Sequence, residues 1–308
     1  MTMPNFIIIG SGKCGTTSLY HYLNQHPDIF MSPMKETNFF SFEEKQLDFR
    51  GIGDYELTSS SVTKLKDYED LFKSVTNEHA IGEASPVYIY DENTPTRIKN
   101  YIPNAKIIAI LRDPSDRAFS NYMSRFAKGF EPITDFSTAL AMEDKRKKDN
   151  WSFMFHYRSQ GFYYSMLKRY YDLFDADQIK ILFFSDLKER PNDLLKDVFE
   201  FLGVDSNFKP DTSTILNPSG APKHPRLYRF ILSTYRNDGI FRFIKPILKP
   251  LIPKSYVQKI RTKLLSNKML AKTTLKKEER KQLIDTYRDD ILKLQELVNK
   301  DLSSWLKE

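Results

Sequence analysis

The chain has 308 residues, of which 40% are hydrophobic and 14% aromatic, enough to bury a large core, and this excludes an intrinsically disordered protein. Its single cysteine, Cys14, excludes an internal disulfide bond and favours a reducing compartment. The first apolar run stops at Gly10, too short for a signal peptide, and no other run is long enough to span a bilayer. We therefore expect a soluble, cytoplasmic protein.

The formal net charge of +7 is unevenly distributed along the chain. Residues 226–272 contain twelve Lys and Arg residues and one acid, a local charge of +11 that leaves −4 for the rest. One interpretation is a helical lid that packs on the core and exposes its charges to solvent. The other is a surface that attracts a polyanion or docks the protein peripherally on an anionic membrane, at its inner face. We expect no nucleic-acid partner.

Apolar runs and turn residues predict alternating strands and helices. Helices are expected at 16–24, 114–127, 159–174, 192–202 and about 276–300, whereas residues 28–66 look irregular. Strands are expected at 6–9, 80–86, 106–114 and 179–184. This alternation predicts an α/β fold with a central parallel sheet and ligands at the carboxyl ends of its strands. We place a core domain at 1–225 and a basic helical extension at 226–308.

The first strand runs directly into a glycine-framed turn, in the stretch FIIIGSGKCGTTSLY at 6–20. A strand that leads through such a turn into a helix presents free backbone N–H groups to an anion, most often a phosphate. In a P-loop ATPase the residue after the second glycine is a lysine, but here it is Thr16. The pattern predicts one phosphate held by Thr16, Thr17 and Ser18, with Lys13 at the bond beyond it. An ordinary glycine turn with capping hydroxyls is the alternative.

A second candidate anion site lies in LRDPSDRAFSNY, at 111–122. Asp113 is suited to cap a helix that starts at Pro114, which puts Arg112 at the end of the preceding strand. Ser120 lies seven residues after Asp113, about two helical turns along, and so returns to the same face. An arginine fork and a hydroxyl together suit a second phosphate. The alternative is a capped helix in which Arg112 pairs with Asp116.

The sequence resembles sulfotransferases that use 3′-phosphoadenylyl sulfate (PAPS), most closely the heparan sulfate sulfotransferase type and its bacterial relatives. The matching pieces follow family order and cover most of residues 5–225. They are IIIGSGKCGTTSLYHYLNQHPDI (7–29), KETNFFSF (35–42), YEDLF (68–72), GEASPVY (82–88), IIAILRDPSDRAFSNY (107–122), QGFYYSMLKRYYDLF (160–174) and IKILFFSDLKERP (179–191). The resemblance implies a three-layer fold like that of the nucleotide kinases, with a carbohydrate or glycan hydroxyl as acceptor.

The resemblance also implies roles for individual residues. The donor's 5′-phosphosulfate is expected on Lys13, Cys14 and Gly15 to Ser18, and its 3′-phosphate on Arg112 and Ser120. Glu36 matches the family's general base in an E-x-x-F-F segment, and Lys13 would stabilise the charge on the leaving oxygen. Because a sulfuryl group carries less negative charge than a γ-phosphoryl group, we expect no metal requirement.

The sequence departs from the heparan sulfate enzymes near the expected reaction centre. Ala84 stands where those enzymes have a lysine, and Lys35 is a candidate to supply the missing charge. Their paired cysteines near adenine are absent, so NPSGAPKHPR (217–226) is either a donor cover, with Lys223 or Arg226 on a phosphate, or an ordinary surface loop. His156 is the best substitute base.

Two other functions remain open at this point. An ATP-dependent kinase of a small hydroxyl compound would need a lysine at position 16 and a carboxylate for Mg²⁺, for which Asp113 is the candidate. A non-catalytic nucleotide or polyanion binder would explain the basic stretch but not the combination of Glu36 and Lys13. The residues alone leave the acceptor open among a sugar hydroxyl, a lipid-linked glycan, an acyl-carrier thioester and a phenol.

Overall fold

A computed structural model describes residues 2–213, 221–222, 270–271 and 274–308. Its centre is a five-stranded, fully parallel sheet with the strand order β2-β3-β1-β4-β5. The strands are β1 (Phe6–Gly10), β2 (Ile29–Met31), β3 (Ala80–Ala84), β4 (Lys106–Leu111) and β5 (Ile179–Phe183). A short antiparallel pair, β6 (Ala221–Pro222) and β7 (Leu270–Ala271), lies apart from this sheet in the topology.

Helices cover both faces of the sheet, so the predicted α/β fold with a central parallel sheet is confirmed. The alternation of side chains along β1 shows the layering: Phe6 and Ile8 face one buried cluster, whereas Ile7 and Ile9 face the other. The helices are α1 (Thr16–Leu23), α2 (Phe39–Phe42), α3 (Tyr55–Ser60), α4 (Leu65–Glu69), α5 (Thr94–Tyr101), α6 (Pro114–Ala127), α7 (Phe136–Ala141), α8 (Glu143–Lys148), α9 (Tyr163–Tyr171), α10 (Phe184–Glu189), α11 (Pro191–Leu202) and α12 (Lys277–Val298).

Most of the predicted elements are present within one or two residues of their expected ends. The exceptions are the strand expected at 106–114, which ends three residues earlier as β4, the helix expected at 159–174, which is shorter as α9, and the segment 28–66, which is not irregular. That segment contains β2 and three short helices. β2 has only three residues, an apolar run too short to predict a strand, and it forms by pairing with β3.

The last helix, α12, packs against α9 and α6. The Tyr287 hydroxyl donates to the carbonyl of Arg158 at 2.9 Å, and Asp290 accepts from the Tyr164 N–H at 3.0 Å. No helix in the part of the chain that the structure describes has the length and apolarity to cross a membrane. The basic stretch 226–272 falls outside the described residues except at β7, and the domain division at 225 stays a prediction.

Candidate active site

The glycine turn after β1 is open to an anion. Gly15 precedes α1 with φ 95°, and a Cβ added there would lie 2.7 Å from Leu187, so glycine is required. The backbone N–H groups of Gly15 to Ser18 find no acceptor among the described residues, and neither do the hydroxyls of Thr16, Thr17 and Ser18. Four N–H groups and a helix N-terminus are thus left for a ligand.

Lys13 lies in this turn with a left-handed backbone, at φ 70°. Burial lowers the pKa of its ammonium group to about 8. Three cations, Lys128, Arg125 and Arg112, add to this effect, and Glu36 opposes it. At pH 7 roughly nine-tenths of the Lys13 side chains remain charged. Lys13 is therefore a cation whose charge no described carboxylate neutralises at ion-pair distance.

Cys14 is turned away from the ligand side of this turn. Its side chain is fully buried, and its sulfur lies 3.8 Å from the Tyr163 hydroxyl. Its backbone N–H donates to the Ser11 carbonyl at 3.3 Å. Burial raises the pKa of the Cys14 thiol, which keeps it protonated. Any donor contact from Cys14, as the resemblance implies, stays a prediction.

Arg112 follows β4 directly and reaches back to the glycine turn. Its guanidinium group donates to the Lys13 carbonyl at 3.5 Å and stacks over Phe184 at 4.9 Å. A loose ion pair at 3.9 Å joins it to Asp116, as the alternative interpretation expected. Arg112 thus lies beside the glycine turn, so a ligand with two phosphates could contact both the turn and this guanidinium group.

The helix that follows Arg112 is capped as the sequence predicts. The Asp113 carboxylate accepts from the N–H groups of Ser115 at 2.8 Å and Asp116 at 3.2 Å. Ser120 is buried within α6, and its contact with a phosphate stays a prediction. Arg280 of α12 also pairs with Asp113 at 2.7 Å and with Asp116 at 3.1 Å.

Glu36 lies in the loop between β2 and α2, with φ 65°. Its backbone N–H donates to the Ala84 carbonyl at 2.9 Å, which fixes the loop beside the end of β3. Burial alone would raise the pKa of Glu36. The positive charges of Lys35, Lys128 and Lys13 have a larger effect together, so the pKa lies below its ordinary value. Glu36 is therefore a carboxylate at neutral pH, and it forms an ion pair with Lys35. That Lys35 replaces the lysine missing at position 84 stays a prediction.

Sequence reasoning missed two cations near Lys13 and Glu36. Arg125, in the last turn of α6, is buried and donates to the sulfur of Met154 at 2.6 Å. Lys128, which caps the same helix, acts electrostatically on both Lys13 and Glu36. The spacing of Asn121, Arg125 and Lys128 along one helix face was the available signal.

Glu83 was missed as well, although it lies under the Glu36 loop. This fully buried carboxyl accepts from the hydroxyls of Ser85 at 2.8 Å and Thr37 at 3.1 Å. Ser85 in turn accepts the Asn38 N–H at 3.0 Å. Burial raises the pKa of Glu83 to about 7, against the effect of its hydrogen bonds. The network ties the loop that carries Glu36 to the end of β3.

The remaining candidates lie elsewhere. His156, the substitute base, is buried, and its Nδ1 lies 2.9 Å from the Tyr90 hydroxyl. Burial lowers the pKa of His156 to about 4, so it is neutral at pH 7 but a weak proton acceptor. Lys223 and Arg226 lie outside the described residues, and their contact with the donor stays a prediction.

Together, these features define an α/β protein of the nucleotide-kinase-like type with a glycine turn open to an anion and a carboxylate beside it. Residues 3–217 match the family model of the sulfotransferase domain, and the chain belongs to this family. The solved structure of a sulfotransferase from Alicyclobacillus acidocaldarius is 31% identical and aligns over 100% of both chains with a TM-score of 0.77. The predictions of fold, family and enzyme class are confirmed.

Curated relatives match over part of their length only. A membrane-associated sulfotransferase, kil1, of Dictyostelium discoideum is 38% identical over 40% of this chain and 23% of its own. The human bifunctional heparan sulfate N-deacetylase/N-sulfotransferase 3 is 31% identical over 66% of this chain and 22% of its own. The chain thus spans less than a quarter of the length of these relatives.

Proposed function

We propose that this protein transfers the sulfuryl group of PAPS to a hydroxyl of a carbohydrate acceptor and releases the 3′,5′-bisphosphate product, PAP. The observation that carries the proposal is that Lys13 and Glu36 interact beside a turn whose four N–H groups have no acceptor among the described residues. An anion site, a cation for the leaving group and a proton acceptor are the three parts that this reaction needs.

The donor would be held at two points. The N–H groups and hydroxyls of Thr16, Thr17 and Ser18 suit the 5′-phosphosulfate, because a helix N-terminus favours negative charge. Arg112 and Ser120 suit the 3′-phosphate, which distinguishes PAPS from nucleotides that lack it. The short distance between Arg112 and the Lys13 carbonyl supports this pairing of the two sites.

In the transfer step, the acceptor oxygen forms a bond to sulfur while the bond from sulfur to the 5′-phosphate oxygen breaks. Glu36 takes the proton of the acceptor hydroxyl, for which its lowered pKa keeps it ionised at neutral pH. Negative charge grows on the departing phosphate oxygen, and the Lys13 ammonium stabilises it there. The positive charge of Lys13 does at this oxygen what Mg²⁺ does in many kinases.

A carbohydrate acceptor is supported by relatives that are named for heparan sulfate. The kil1 relative is named as membrane-associated, which supports our proposal that residues 226–272 bring the protein to an anionic membrane or a polyanion. Reversal of four charges in this stretch, at Lys254, Lys259, Arg261 and Lys263, is expected to abolish low-salt binding to anionic vesicles without a change in PAP affinity.

The test of the reaction compares ligands and one pair of variants. PAP should raise the Tm strongly and ATP with Mg²⁺ weakly, because only PAP fills both phosphate sites.

Glu36→Gln should lower turnover by about 10²–10⁴-fold with PAP binding nearly intact. Glu44→Gln is a matched control, since Glu44 shares the left-handed backbone and a lysine partner, Lys64. Equal protection by ATP with Mg²⁺, or full activity of Glu36→Gln, would refute the proposal.

A further inference from the structure

The described residues form a large groove. Its volume is about 930 Å³, and it is lined by Phe42, residues 45–49, Val87, residues 90–93 and side chains between 147 and 169. Pockets that bind small molecules span roughly 300–1,000 Å³, so this groove has room for more than one ring of a ligand. We call this feature the groove.

The groove begins beside the proposed reaction centre. Phe42, in its wall, ends the helix α2 that starts three residues after Glu36. On the other side, Gln160 lies between the turn and the groove. Its amide oxygen would lie 3.8 Å from a Cβ added to Gly12, and its amide nitrogen donates to the carbonyl of Phe153. Phe153 lines the groove. Gln160 therefore connects the wall of the groove to the glycine turn.

The charges that line the groove cancel. Its three cations are each within ion-pair distance of a carboxylate: Lys45 with Asp91 at 3.8 Å, Arg169 with Glu92 at 3.9 Å and Lys147 with Glu143 at 3.2 Å.

The rest of the lining adds no positive charge. Asp48 brings the lining carboxylates to three, and it accepts from the Asn150 amide at 2.9 Å. His156 adds none at pH 7, because burial lowers its pKa to about 4. A polyanion needs an excess of cations, and the described residues of the groove carry three charges of each sign.

What the groove does offer is aromatic surface interrupted by neutral polar groups. Five of its rings are partly exposed: Phe49, Tyr90, Trp151, Phe153 and Phe162. Between them lie the amides and hydroxyls of Gln46, Asn93, Asn150, Ser159 and Ser165. A pyranose ring has an apolar C–H face and a rim of hydroxyl groups, which match rings and amides respectively.

We infer that the groove binds the acceptor and that this acceptor is an uncharged saccharide, not a polyanionic glycan. The inference rests on the proposed function and narrows its substrate class. The aromatic rings would support the apolar face of the sugar, and the amides and hydroxyls would fix which hydroxyl group approaches Glu36. Each described cation of the groove already has a carboxylate nearby, so a carboxylated or sulfated sugar would meet no net positive charge from these residues.

Two sugars that differ in one group provide the test. With PAPS as donor, p-nitrophenyl glucoside and p-nitrophenyl glucuronide share a ring and an aglycone but differ by one carboxylate. Uncharged and charged glycan pools, separated by anion exchange, extend the comparison with labelled PAPS. We expect label in the uncharged pool and at least a tenfold higher kcat/KM for the glucoside.

Two variants test the groove itself. Phe49→Ala should raise the KM for the glucoside at least fivefold with PAP affinity unchanged, whereas Phe49→Tyr should resemble the wild type. Asp91→Asn with Glu92→Gln frees Lys45 and Arg169 and should raise glucuronide use.

Several results would overturn the inference. Label in the charged pool, in a lipid or phenol fraction, or in no glycan pool would do so, as would a Phe49→Ala variant with wild-type kinetics. Because PAP stabilisation is measured on the same samples, these results differ from a failure of the proposed function, in which PAP itself would not bind.

Discussion

The two sides of the proposed site differ in whether their cations are paired with carboxylates. On the donor side, Lys13 and Arg125 have no carboxylate at ion-pair distance among the described residues, whereas Arg112 has one at 3.9 Å, as far away as the carboxylate partners in the groove. In the groove, Lys45 and Arg169 each have a carboxylate of their own.

The difference predicts how much charge contributes to ligand binding on each side. Burial, with the repulsion of the neighbouring cations added to it, lowers the pKa of Lys13, and a dianionic ligand would relieve that repulsion. Paired cations gain nothing from an anion. We therefore expect strong, charge-dependent recognition of the donor and shape-dependent recognition of the acceptor.

The largest effect should come from removal of the Lys13 charge. Lys13→Met keeps the side-chain stem and the same backbone requirement, and kcat should fall by about 10²–10³-fold, because the departing oxygen loses its counter-charge. Release of PAP in steady state measures this. A loss of less than threefold would mean that another cation carries this function.

Lys13 should also set the alkaline limit of activity. Since its pKa is about 8, kcat/KM for the donor should fall above pH 8 as the ammonium group loses its proton. Lys13→Arg stays charged and should move this limit upward. An unchanged limit in Lys13→Arg would assign it to a different group.

Removal of the Arg112 fork should have the next largest effect. Arg112→Ala should weaken PAP binding by about 10–100-fold and leave 5′-AMP binding nearly unchanged, because only PAP has the 3′-phosphate. Calorimetry with both nucleotides measures the ratio. Lys196→Ala, which removes an exposed cation of α11, is the control and should alter neither affinity. Equal losses for PAP and 5′-AMP would place Arg112 elsewhere on the donor.

A smaller effect is expected from Arg280, which links α12 to the donor side. Its pairs with Asp113 and Asp116 leave Arg112 only loosely held by Asp116. Arg280→Gln should let Asp116 draw Arg112 away from the donor and weaken PAP binding by roughly 3–10-fold. Arg280→Gln combined with Asp116→Asn should recover most of that loss. No recovery in the double variant would show that Arg280 acts through stability instead.

The sequence revealed the donor side better than the groove, for a physical reason. The glycine turn and the Asp113 cap are local features, in which neighbours in sequence are also partners in space. The charge balance of the groove depends on pairs far apart along the chain, such as Arg169 with Glu92. The left-handed backbone of Lys13 and Glu36 had no sequence signal, since neither is a glycine.

Glu83 should give the smallest effect, and it differs from both sides of the site because the partners of this buried carboxyl among the described residues are all hydroxyls. Its pKa of about 7 is above the ordinary value of 4.5, so the folded state keeps the proton longer than the unfolded state. Stability from this group is present below about pH 4.5 and is lost as the pH rises through 7.

Glu83→Gln removes this pH dependence, since glutamine is neutral throughout. The Tm of the variant minus that of the wild type should therefore rise between pH 5 and pH 8, by roughly 5 °C for a change on the order of 2 kcal/mol. Glu131→Gln is the matched control: Glu131 is equally buried but pairs with Arg146 at 2.7 Å, so its loss should destabilise at both pH values. A pH-independent difference for Glu83→Gln would mean that Glu83 is already ionised at pH 5, with its hydroxyl partners sufficient to hold the charge.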